Sequence, residues 1–359
     1  MNIPNNLTII LPVYNHAKYL TEALESILKQ TVLPKHVVLI DDASLDESAV
    51  IAAKYAMKYD FIHFVQNSVR VGPNKIFNAQ VLGVKTDYTF FMSADDSIHP
   101  CLFETALGLL NKHPDAGVFS ALSNVIDESG RYVRRYYSPV IKLSPTYLSP
   151  AKCRKLYQTD GNWILGGTRV FRTAVIQKMK HLTELHSFSD TYLTTITAIT
   201  HGACFCPTYL SNVRMDGANY SSGVMRNEVR LKEIMQQVEE KFLSRIYFNK
   251  KEVSVWKKRF MLTAIISLLS YNKTFDSKKL KDFIPEQFQW TRMIVRMFYP
   301  LLRLRLHFLN GVILYLFVRP TDLLHRCYRY FFYSLPCKMK NRKVSYQDST
   351  LDKRKSYDA

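Results

Sequence analysis

Apolar positions over the first third of the chain alternate between two spacings. Residues 8–13 form an apolar run of strand length, and Leu20, Ala23, Leu24, Ile27 and Leu28 then recur at the three-to-four-residue interval that lines one face of a helix. The same switch repeats down the chain. Strands are predicted over residues 37–40, 61–65, 88–92 and 116–119, with helices over 47–59, 74–84 and 101–110 between them. Gly72-Pro73 breaks the chain before one of these helices, and Pro100 starts the last. Strand and helix in alternation predict an α/β domain: a doubly wound, mostly parallel sheet covered on both faces.

Beyond residue 120 the pattern loosens. Residues 121–137 read as a hairpin around Asp127-Glu128-Ser129-Gly130. Gly166-Gly167 lies in a segment, 163–171, where missing side chains allow close approach of backbone or ligand. Helical spacing returns at Ile234, Val238, Phe242 and Ile246, and at Trp256, Phe260, Ala264 and Leu268, predicting a small C-terminal helical bundle. The expected organisation is a catalytic domain over 1–223, a basic, amphipathic helical region over 224–344, and a polar tail over 345–359 with the composition of disorder.

Two strands end in paired acids. Asp41-Asp42 follows the run at 37–40, and Asp95-Asp96 follows the run at 88–92. In an open α/β sheet the ligand crevice lies outside the carboxyl ends of the strands, so both pairs would border one hole. Paired carboxylates repel unless a cation, a donor or a proton compensates, and hard oxygen ligands favour magnesium or manganese over zinc. The plainer reading is that aspartates after strands cap the following helices.

Charge adds a second region of interest. The chain has 49 Lys/Arg against 30 Asp/Glu, and residues 291–359 alone hold 14 Lys/Arg against 4 Asp/Glu. That tail is also rich in aromatic and aliphatic residues, which suits an anionic membrane surface better than nucleic acid. Its apolar stretch, 308–318, is too short to span a bilayer; a C-terminal helix packed on the catalytic domain is the other reading. Six cysteines without a paired framework, and no apolar leader before the first strand, point to a reducing cytoplasm. Cys204-Phe-Cys206 reads as two buried thiols sooner than as metal ligands. The first loop, Pro12-Val13-Tyr14-Asn15-His16, has no glycine, which argues against a dinucleotide site, and no phosphate-binding GxxxxGK[ST] occurs.

The segments TIILPVYN at 8–15, SILKQT at 26–31 and VLIDDAS at 38–44 resemble the family 2 glycosyltransferases of the GT-A, Rossmann-like fold. The resemblance continues through Ser93-Ala94-Asp95-Asp96, GGTRVFR at 166–172, SFSD at 187–190 and VRMDGANYSSG at 213–223. These segments, in order over about Leu7 to Gly223, make it specific. It implies an inverting transfer from a nucleotide-sugar donor, with UDP favoured, to a hydroxyl of a polysaccharide, lipopolysaccharide or glycolipid. It also implies a divalent Mn2+ or Mg2+ cofactor; the basic, aromatic tail adds the expectation of peripheral attachment at the inner face of the cell membrane. On the donor side it places Pro12, Tyr14 and Asn15 at the uracil pocket, with Asp42 accepting from the base imide. Asp95 would hold the ribose or share the metal, Asp96 would coordinate it, and Lys75 reads either as a phosphate contact or as a solvated lysine. Trp163, Gly166, Gly167 and Thr168 fall on the acceptor side.

Asp190 is the expected general base, since a sugar hydroxyl must lose its proton as it attacks the anomeric carbon; its other reading is a helix cap. Three positions depart from the family. Ser93 stands for an acid, Ser189 for a glutamate, and Asp216 for a histidine; Asp216 reads equally as a metal ligand or as a turn residue before Gly217. These departures motivate the rival reading, a catalytically inactive scaffold subunit of a membrane polysaccharide complex.

Overall fold

A computed structural model describes residues 6–136, 139–164, 166–179, 189–215 and 247–256, with the positions 229, 232–234, 236–237, 239–240, 293 and 331–332. The sheet starts as expected. β1 (Leu7–Val13), β2 (His36–Asp41), β3 (Ile62–Gln66) and β4 (Tyr88–Phe91) lie in the order β3-β2-β1-β4, every neighbouring pair parallel. Helices α1 (Ala17–Leu28), α2 (Ser48–Lys58), α3 (Pro73–Gly83) and α4 (Leu102–Lys112) make the crossovers and the return after β4.

Both faces of β1 are covered, which is why it reads as an unbroken apolar run instead of alternating. Leu7, Ile9, Leu11 and Val13 pack into one core layer with Leu20, Ala23, Leu24 and Ile27 of α1 and Phe103 and Leu107 of α4. Ile10 faces the other layer, which contains Ile76, Phe77 and Val81 of α3.

The second half of the sheet departs from simple alternation. A three-residue strand, β9 (Val170–Arg172), runs antiparallel between β4 and β6 (Val118–Ile126), and β10 (Ala203–Arg214) lies parallel to β6. Two antiparallel steps restore direction, so the carboxyl ends of β6 and β10 reach the same sheet edge as those of β1, β2 and β4. The strand expected at 116–119 and the first arm of the hairpin are one continuous strand, β6, which turns at Gly130 (φ +81°) into β7 (Tyr132–Arg135). Short β5 (Ser97–Ile98) and β8 (Thr146–Leu148) pair with β10.

The stretch that looks irregular in sequence holds α5 (Pro150–Asp160), α6 (Thr173–Gln177) and α7 (Ser189–His201). Gly117 exists to let α7 in: a Cβ there would meet Thr197 Cγ2 at 2.7 Å. Cys204 and Cys206 are buried free thiols on β10. Of the expected C-terminal bundle, residues 250–256 are helical, and Val253 and Trp256 pack into the core layer of α3, α5 and α7. Glu252 accepts hydrogen bonds from Arg154 and Gln158 of α5 there. Asp216, most of the bundle, the 345–359 tail and the basic stretch around 308–318 lie outside the described residues. Among the described residues no helix is long and apolar enough to cross a membrane.

Candidate active site

Parallel pairing sends the strands before both acid pairs toward one sheet edge. β1 lies between β2 and β4; Asp42 directly follows β2, whereas Asp95-Asp96 lie beyond the end of β4, where Asp96 meets the end of β10. The two pairs are nevertheless held in different ways.

Asp42, only 2% exposed, is held by backbone and amide donors. Its carboxylate accepts from Asn67 Nδ2 at 3.0 Å, Val71 N at 2.9 Å and Gly72 N at 2.8 Å. A carboxylate offers about four lone-pair directions, so one is left for a ligand. Its main work is to staple the loop before α3, where Gly72 adopts φ +89°. Asp41 accepts from Ser44 N and Gln66 Nε2, while its Oδ1 is buried without a partner. Half-buried Pro12 and Tyr14 follow β1 to this edge, and the Arg70 guanidinium lies 3.7 Å from the Tyr14 ring centroid. Asn15, in the left-handed region (φ +54°), clasps the neighbouring loop: its N–H donates to Ser44 Oγ and its side-chain carbonyl accepts from Leu45 N.

The second pair is crowded. Ser93 Oγ donates a short hydrogen bond to Asp95 Oδ1, so the hydroxyl at the place of a third acid offsets charge instead of adding it. Asp96 accepts from Arg214 N through Oδ1 at 2.9 Å, the one hydrogen bond its carboxylate makes among the described residues. Burial first, and then the charge of Asp95, hold its carboxyl well above the usual range, against the opposing pull of Arg214. Such a pair is short of positive charge. Among the described residues no three His, Cys, Asp or Glu side chains cluster as a closed metal cage. A magnesium-type ion needs no such cage, being held by one or two carboxylates together with substrate phosphates and water. Asp95 and Asp96 fit such an ion; Asp216 lies outside the described residues.

Asp190 is in the first turn of α7 with its side chain 47% exposed. Arg169, itself buried, donates to Asp190 Oδ2 at 2.9 Å and to Thr194 Oγ1 at 3.2 Å, fixing the carboxylate's direction. Asn74 at the start of α3, just past the loop stapled by Asp42, donates to Ser189 Oγ beside Asp190 at 3.2 Å. Tyr136, after β7, has its phenol raised by burial and next by the charges of Asp190 and Asp96. Lys75 is exposed on the same first turn of α3.

The expected acceptor residues mostly build the wall behind the site. Trp163 is 3% exposed and packs edge-on against Phe205. Thr168 Oγ1 both accepts from Ala121 N and donates to Ala121 O, clipping the 3-10 turn Gly166–Thr168 onto β6. Gly167 permits this contact, because a Cβ there would come 2.6 Å from Ser211 Oγ. Sequence reasoning passed over Arg70, Tyr136 and Arg214, and only Arg214 had a signal, as the first residue of the 214–221 motif.

With this geometry in place, comparisons with known proteins agree. Residues 8–178 match the family described as Glycosyl transferase family 2. The uncharacterized glycosyltransferase YibD of Escherichia coli is 30% identical over 107 residues, 30% of this chain and 31% of that protein. The minor teichoic acid biosynthesis protein GgaB of Bacillus subtilis is 31% identical over 110 residues, 30% of this chain and 12% of that protein. The chain thus spans about a third or less of the length of these relatives. Among solved structures, S. aureus TarS 1-349 in complex with UDP superposes with TM-score 0.50 at 18% identity, covering 88% of this chain and 91% of that one. The mannosyltransferase PcManGT of Pyrobaculum calidifontis, in complex with GDP-Man and Mn2+, superposes with TM-score 0.52 at 14% identity, covering 88% of each chain. The fold is GT-A.

Proposed function

We propose that this family 2 glycosyltransferase, matched to the family over residues 8–178, transfers a sugar from a nucleotide-sugar donor to a hydroxyl of a saccharide or glycolipid acceptor with inversion. What supports this reading most is that the loop stapled by Asp42 leads into the start of α3, whose Asn74 donates to Ser189 beside Asp190, while Asp95-Asp96 follow a parallel strand directed to the same sheet edge.

Tyr14 and the remaining lone pair of Asp42 take the base, and UDP is favoured because a uracil imide donates where Asp42 accepts. Arg70 rests directly on one face of the Tyr14 ring and holds it in place. Asp95 and Asp96 would hold a divalent ion, which when bound offsets the negative charge of a departing nucleoside diphosphate. Asp190, aimed by Arg169, removes the acceptor hydroxyl's proton as the oxygen attacks the anomeric carbon from the side opposite the leaving group. PcManGT was solved with GDP-Man and Mn2+ and TarS with UDP; those ligands are compatible with this assignment.

The basic, aromatic stretch beyond residue 291 supports work at an anionic membrane surface on polysaccharide, lipopolysaccharide or glycolipid acceptors. Loss of liposome partitioning on removing residues 291–359 is the expected result; unchanged partitioning contradicts it. Donor chemistry is tested by melting the full chain with a panel of sugar nucleotides, with and without Mn2+, since a ligand that binds only the native state raises the midpoint. A UDP-sugar that stabilises the chain further with Mn2+ and is turned over supports the reading. Neither stabilisation nor turnover by any donor contradicts it.

A further inference from the structure

Arg214, the last residue of β10, is the largest fully buried side chain among the described residues, its side chain 1% exposed. Its three guanidinium nitrogens reach three different elements. Nε donates to the carbonyl of Asp95 at 2.9 Å, one terminal nitrogen to the carbonyl of Asp127 at 2.6 Å, and the other to Glu22 on α1 at 2.5 Å. The Tyr19 ring covers the guanidinium, with 4.5 Å between its centroid and Cζ. The backbone N–H of the same residue holds Asp96 Oδ1. One residue therefore grips both acids of the second pair, one through its carbonyl and the other through its carboxylate, at the point where the chain leaves the sheet.

We infer that Arg214 is a positioning residue that sets the direction of the Asp95-Asp96 pair for cation binding, and that Glu22, a surface acid on α1, tunes it. A buried guanidinium beside a cation site repels the cation, and Glu22 cancels that charge while fixing the fork; lysine keeps the charge but cannot span three acceptors in fixed geometry. The inference rests on the divalent-metal reading of Asp95 and Asp96.

The test is calorimetric titration of UDP into the full chain with and without Mn2+, with Mn2+ binding followed in parallel by electron paramagnetic resonance. Arg214→Lys is expected to weaken Mn2+ binding about tenfold, as partners one shell out from a metal do. Glu22→Gln, half-exposed and isosteric, with an amide oxygen that can still accept from the guanidinium, is expected to weaken it about threefold. UDP binding without metal should stay at the wild-type level in both. Wild-type Mn2+ affinity in both variants, or in Glu22→Gln alone should Arg214→Lys fail to fold, overturns the inference, as does an equal loss of UDP affinity with and without metal. A wild-type chain indifferent to Mn2+ overturns the metal reading itself, and this role of Arg214 with it.

Discussion

The acid pairs at 41–42 and 95–96 share a sequence pattern, an apolar strand followed by two aspartates, and differ in almost everything the structure adds. Asp42 receives three N–H donors and staples the loop that launches α3. Asp96 receives one N–H, sits beside a second carboxylate, and has its carboxyl pushed up by burial and by that neighbour. Dipoles have already satisfied Asp42, whereas Asp96 has a single N–H donor against the charge of Asp95. Identical dipeptides after two strands that flank β1 are thus held differently: one staples a loop, and the other is left crowded. What separates them is the supply of backbone donors, which a loop folded over a carboxylate provides and a chain leaving a crowded edge does not.

The largest expected effect sets a third carboxylate apart from both pairs. Asp190→Asn should lower turnover by about 10²–10⁴-fold, as loss of a general base does, while UDP affinity stays the same with and without Mn2+; a matching loss of UDP affinity would make Asp190 a donor ligand instead.

Next comes Asp96→Asn, which should remove the gain in UDP affinity that Mn2+ provides, a loss of about tenfold or more. The same change should stabilise the metal-free chain. A carboxyl whose folded value is raised favours the folded state while protonated, and that contribution is lost as pH climbs from its ordinary 3.8 through the raised value. Above that window the asparagine variant should melt higher than wild type, and a lower midpoint across the whole pH range would show that Asp96 is not crowded.

Asp42→Asn tests the other side of the contrast. An amide turns one acceptor oxygen into a donor and leaves the Val71 or Gly72 N–H unpaired, at a cost of about 1–3 kcal/mol in stability. Denaturant unfolding measures this, and an unchanged midpoint would mean that the loop does not depend on the staple.

The smallest effect concerns Asp127, an exposed turn aspartate held by donors as Asp42 is. The Ser129 hydroxyl, with the N–H groups of Ser129 and Arg131, lowers its carboxyl to about 2. Its contribution to the hairpin is present above the ordinary carboxylate value and is lost as pH falls through about 2. Ser129→Ala should return the value toward the ordinary one in a nuclear magnetic resonance titration.

Much of the first half of the molecule was legible in the sequence because its information is local. The α1 stripe, the strand runs and Pro73 each depend on neighbours a few residues away, and the structure follows them to within a residue or two. The second half resisted reading for two physical reasons. β9 is three residues long and antiparallel, too short for any period to register. β10 carries register shifts between Cys206 and Ser211, so its alternation is broken.

The site divides in the same way. Asp42, Asp96 and Asp190 stand at positions that strand ends and motif order pick out. Arg214 meets Glu22 across 192 positions of sequence, and Arg169 meets Asp190 across 21, so these partners appear only when the chain is folded. On the acceptor side, Gly167 and Thr168 also serve the packing of the turn against β10 and β6, contacts that only the fold brings together.

Titrating UDP into wild type, Asp42→Asn and Asp96→Asn, each with and without Mn2+, tests the division between the two pairs most directly. Mn2+ should raise the affinity of wild type and of Asp42→Asn by the same factor and leave Asp96→Asn unmoved. A Mn2+ gain that survives in Asp96→Asn, or one that disappears in Asp42→Asn, would contradict it.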